Sequence, residues 1–124
     1  MRILFIIVLV VNLLTELLAA TTLIGGPDGI AAAGKGAMWS MHYGFAALAI
    51  ASASLWVWPY RNNLKAVTAV LGVLTTFHTG LFVSLTLAGD QQAGQIIHAV
   101  MAVLCFALFT QRARWCHEAS SETK

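Results

Sequence analysis

Four long apolar runs, separated by short clusters of glycine, proline, asparagine and aspartate, dominate the chain. They cover residues 3–24, 38–58, 64–88 and 93–110. A helix needs about 20 residues to cross a hydrocarbon core of about 30 Å, and these runs meet that length, the fourth barely. The separators "GGPDGIAAAGKG", "PYRNN" and "GDQQ" hold helix stops and turn formers where spanning helices should end. The pattern predicts an all-α, polytopic membrane protein: a four-helix up-down transmembrane bundle over residues 1–112, followed by a short polar tail at 113–124. Arg2 followed by an apolar run has the look of a secretory signal. The run exceeds a usual signal core of about 7–15 residues, and "LAATT" offers no clear cleavage site, so a retained helix is expected.

Composition strengthens this picture. Of the 124 residues, 59% are apolar and only 10% charged, against about a quarter charged in ordinary soluble domains. A net charge of +2 is too small to indicate a nucleic-acid partner. The bilayer is the expected partner, with other membrane subunits or a second copy as further ones. Basic residues also orient the chain. Arg2, Arg61, Lys65, Arg112 and Arg114 flank one set of helix ends, whereas the other two connections hold only Lys35, Asp28 and Asp90. The positive-inside rule therefore puts both termini in the cytoplasm, as for a bacterial inner membrane protein. Trp39, Trp56, Trp58, Tyr60 and Trp115 fit interfacial aromatic belts.

Helix two carries small residues at Ser40, Gly44, Ala47, Ala51 and Ser54, a spacing that lets a neighbouring helix approach closely. Helix packing is the simpler reading of this stripe and a homodimer interface the sharper one.

The candidate chemistry lies in the ionisable residues within the runs. Glu16, His42, His78 and His98 occupy one helix each, at depths of roughly 6–15 Å below the outer surface by helix rise. Burying such groups apart from one another is costly, about 2.5–3.5 kcal/mol for an acid at a helix centre. Turning all four inward to share protons, hydrogen bonds or an ion costs least. Asn12 shares a helix face with Glu16. Gln95, Met101 and Cys105 continue the face of His98, while Met38 stands one turn before His42. Ala46, Ala49 and Ala53 follow His42 as a wall of small side chains.

Three readings follow. One is a b-type haem held by His42 and His98 on diagonal helices, with His78 as substitute ligand, giving an electron-transfer or membrane-anchor subunit. Another is a metal site formed by His42, His78, His98 and Glu16, for zinc, iron or copper, with Met38 and Met101 as soft supporting donors. The last is a non-catalytic accessory or assembly subunit, or a proton conduit; a continuous conduit is disfavoured because the inner half lacks titratable groups. Each histidine also has a plainer reading as a packing residue bonded to a neighbouring group. Methionines at helical spacing are more often filler than ligands. No nucleophile motif, HExxH, Walker loop or cysteine pair with ligand spacing marks an enzyme.

The orientation is open to a direct check. A phosphatase active only outside the cytoplasm should be active when fused after residue 30 and inactive when fused after residue 62 or at the C-terminus. Equal activity at residues 30 and 62 would overturn the topology.

Overall fold

The computed structural model describes residues 1–24, 35–89 and 91–116, with side chains 35–41 left aside. Four α-helices form it: α1 (Arg2–Ile24), α2 (Lys35–Val57), α3 (Leu64–Ala88) and α4 (Gln92–Trp115). A short 3-10 turn, Trp58–Tyr60, follows α2. No strand occurs among the described residues. Among the described residues, three helices, α1, α3 and α4, are long and apolar enough to cross a membrane. Many of their large apolar side chains are exposed, including Leu18, Leu87, Val103 and Phe106, which is consistent with contact to lipid.

The helix ends have local causes. Asn63 precedes α3 in extended conformation, and its Oδ1 accepts from the Ala66 amide at 3.0 Å, a side-chain N-cap. Gly89 ends α3 at φ 71°, and its amide donates to Leu85 O at 3.0 Å. That left-handed turn is free of steric cost only for glycine. Gln91 enters α4 at φ 51°. Within the helices, Thr15, Thr68, Thr75 and Thr86 each donate to the carbonyl four residues back at 2.7–2.8 Å. These hydroxyls are thus satisfied by their own helix.

The chain divides into two compact units, Met1–Val8 with Val57–Lys124, and Leu9–Trp56. In the first, α3 and α4 form an antiparallel hairpin. Val67, Val70, Leu71, Leu74 and His78 are the buried face of α3, and His98, Met101, Cys105 and Leu108 that of α4. The start of α1 joins this unit through Phe5, whose ring centroid lies 5.1 Å from that of Trp115, and through Arg2, which hydrogen-bonds Asn62.

Helix α4 runs to Trp115, five residues past the expected end of the apolar run. The added turn is supported from the side. Arg112 Nε donates to Thr68 Oγ1 at 2.8 Å and Nη1 to Phe109 O at 2.6 Å, while Trp115 Nε1 reaches Leu108 O at 3.3 Å. Gln, Arg and Ala are also good helix formers, so polarity alone does not end the helix. Cys116 then caps it: its amide donates to Arg112 O at 2.9 Å and its thiol to Asn62 O at 3.3 Å. Although the sequence puts Cys116 in a polar tail, it is buried.

In the second unit, α1 contributes Leu9, Asn12, Glu16 and Ala20 as buried positions and α2 contributes Gly44, Ala47, Ala51 and Ser54. The small stripe works as a close-packing surface at Gly44. A Cβ there would lie 2.7 Å from Ile24 Cγ1, 3.1 Å from Leu23 Cβ and 3.2 Å from the Ile24 amide nitrogen. Two of those atoms belong to a backbone or to its first carbon and cannot swing away. Gly44→Ala should therefore destabilise the protein by about 1–3 kcal/mol despite the better helix propensity of alanine. Thermal unfolding in detergent tests this, and an unchanged or raised midpoint would show that the approach is not close.

Candidate functional site: a buried histidine pair

The α3–α4 hairpin sets the geometry. Only three residues separate the two helices, which run antiparallel, so residues at roughly matched distances from Gly89 face each other. Polar side chains link them at three successive levels. Nearest the turn, Gln95 Nε2 donates to Leu85 O at 3.2 Å. At the middle level, His78 Nδ1 and His98 Nδ1 lie 2.9 Å apart. At the far end Arg112 holds Thr68.

The middle link carries the chemistry. His78 is 0% exposed and His98 9%. Their ring centroids are 5.2 Å apart with planes inclined by 32°. Phe77 stands edge-on to both, at 5.4 Å from His78 and 6.2 Å from His98. At this separation one Nδ1 donates and the other accepts, so the contact holds a single proton between two basic nitrogens. Along α4 the buried face continues from His98 to Met101 and Cys105, at the three- and four-residue steps of one helix side. Those sulfurs are the polarisable donors on that face.

The other expected site residues distribute as follows. Glu16 is 1% exposed and Asn12 0% exposed, on one buried side of α1 in the second unit. The amide of Asn12 donates to Ser54 Oγ at 3.0 Å and to Ile50 O at 3.2 Å, tying α1 to α2. His42 lies at an exposed position on α2, and Ala46 and Ala49 are exposed below it, while Ala53 is half-buried. Gln95 is half-buried and spends its amide on the Leu85 carbonyl. The side chain of Met38 lies outside the described residues. His78, His98 and Glu16 are each buried and of the donor types that hold metal ions.

Two contributors lie outside the site residues expected from the sequence. Ser54 enters as the partner of Asn12, and its place at the end of the small-residue stripe was the available signal. Phe77 walls both imidazoles; adjacent to a histidine in a greasy run, it carried no signal of its own. Comparison with known proteins found no matching family model, no matching curated protein and no matching solved structure.

A buried side-chain hydrogen bond between spanning helices is worth about 0.6 kcal/mol on average and up to about 1.7. A double-mutant cycle of His78→Phe and His98→Phe, read by unfolding in detergent, should show coupling within that range. Strict additivity would mean that the two rings act independently.

Proposed function

We propose that this chain is a four-span integral membrane protein whose buried imidazole pair, His78 and His98, binds a transition-metal ion. On this reading both termini lie on the cytoplasmic side of a bacterial inner membrane. Its partners are the bilayer and neighbouring membrane subunits. The observation that carries the proposal is the 2.9 Å approach of two buried imidazole nitrogens from separate helices. A tetrahedral ion with metal–nitrogen bonds of about 2.0–2.1 Å holds two such nitrogens about 3.3 Å apart. A shift of a few tenths of an ångström would exchange the shared proton for an ion.

Imidazole suits zinc, copper and iron, and the sulfurs of Met101 and Cys105 along the same side of α4 would bias the set towards Cu(I). Glu16 is the acid that the sequence brings to comparable depth, and it is the carboxylate to test as a further donor. A b-type haem ranks below an ion. Its two axial nitrogens must stand about 4 Å apart with a porphyrin between them, and His78 and His98 touch directly. His42, the other axial ligand expected from the sequence, is exposed.

The direct hydrogen bond also favours a second reading, in which the pair is a metal-free polar fastener of an accessory subunit. Metal analysis separates the two. Detergent-purified protein, stripped with chelator and offered Zn(II), Co(II) or Cu(I), should retain about one ion per chain. His78→Ala and His98→Ala should each weaken binding by at least about a hundredfold, and His42→Ala should leave it unchanged. Binding should also weaken as pH falls, because protons compete for the same lone pairs. Glu16→Gln reports whether the carboxylate contributes. Retention of the ion in both His78→Ala and His98→Ala variants, or no retention by the folded wild type, would rule out this site.

A further inference from the structure

At the end of the hairpin remote from Gly89, two clefts share part of their lining. One, of about 470 Å³, is lined by Leu64, Lys65, Thr68, Ala69, Arg112 and Ala113. The other, of about 610 Å³, shares Thr68 and Ala69 and continues along α3 past Gly72, Val73, Thr76 and Phe77. The first is marked by two cations and the second is almost wholly apolar. We infer that the two clefts together bind an anionic phospholipid, with the phosphate between Lys65 and Arg112 and an acyl chain along Gly72–Phe77.

Charge, preorganisation and length support that occupant. Lys65 is the second residue of α3 and Arg112 lies three residues before the end of α4, so both cations occupy the same end of the hairpin. The N-terminus of α3 adds the positive end of a 25-residue helix dipole beside them. Arg112 is already held in place. Thr68 Oγ1 accepts from its Nε, Phe109 O accepts from its Nη1, and the guanidinium stacks 4.2 Å from the Phe109 ring centroid. Thr68 in turn is fixed by donating to Leu64 O at 2.7 Å. A planar cation fixed in this way loses little freedom on meeting a phosphate. Basic pockets between spanning helices are where anionic headgroups bind.

The apolar part has the right extent. From Lys65 to Phe77 is about 18 Å along the helix, close to the roughly 15 Å depth of one hydrocarbon leaflet. Gly72 keeps the floor of the groove low: a Cβ there would meet only Phe109 Cε2 at 3.8 Å, so the helix tolerates a side chain that the groove would then lose to it.

The inference rests on the membrane reading and is independent of the metal. The full chain in neutral detergent is offered equimolar phosphatidylglycerol and phosphatidylcholine, and bound lipid is read by native mass spectrometry. Phosphatidylglycerol should be retained preferentially. Lys65→Gln and Arg112→Gln should each reduce that preference about fivefold, and Gly72→Leu should lower retention of both lipids. Lys65 is exposed, so Lys65→Gln decides the matter if Arg112→Gln fails to fold, as judged by helicity. Equal retention of the two lipids, an unchanged preference in folded Lys65→Gln, or displacement of phosphatidylglycerol by millimolar inorganic phosphate would overturn the assignment. Membranes washed with alkaline carbonate supply the control. Protein that remains in the membrane but shows no lipid preference refutes this inference alone, whereas protein released by the wash refutes the membrane reading.

Discussion

Hydrocarbon offers no hydrogen bonds, so on helices apolar enough to cross it a buried polar side chain has to find its partner within the protein. The described helices meet that demand in two ways. Threonine hydroxyls turn back to their own helix and ask nothing of their neighbours. Larger groups reach across: Asn12 to α2, Gln95 and Arg112 to α3, and the imidazole of His98 to that of His78. The second group supplies direction that greasy surfaces lack. Leucine against leucine is nearly indifferent to sliding when lipid is as apolar as leucine. A donor aimed at one acceptor is not.

The same constraint gives the histidine pair its interest. Two imidazoles at hydrogen-bond distance share one proton between their Nδ1 atoms. They are also basic, soft enough for several metals, and fixed by helices rather than loops. The fastener and the ligand set are therefore the same atoms. Occupancy, not architecture, distinguishes the two roles. Met101 and Cys105 extend the option, since they continue the buried side of α4 with polarisable atoms.

How much of this was legible beforehand depended on direction along the helix. Axial position was readable: apolar runs gave four helices, and turn residues gave most of their ends to within a few positions. Azimuth was partly readable, as when Asn12 and Glu16 fell on one side of α1 and Gly44, Ala47, Ala51 and Ser54 on one side of α2. The partner of each group was not. His98 could have faced a diagonal helix or an adjacent one, and only the structure, with α4 beside α3, pairs it with His78. The last turn of α4 was missed for a related reason. Apolarity marks where lipid contact ends, whereas the helix ends where its side supports run out, at Trp115 and the Cys116 cap.

The three polar links between α3 and α4 have one more implication. They stand at different heights but belong to a single alignment of the two helices, like teeth cut to one pitch. Sliding one helix past the other by a turn would unmake all three at once, so a piston-like stroke is closed to this hairpin. Scissoring about the Gly89–Gln91 corner is cheaper, because it parts the rungs one at a time, beginning with Arg112 and reaching the imidazoles only afterwards. Any working movement of this pair would therefore be a fan-like opening from the end where the cations sit.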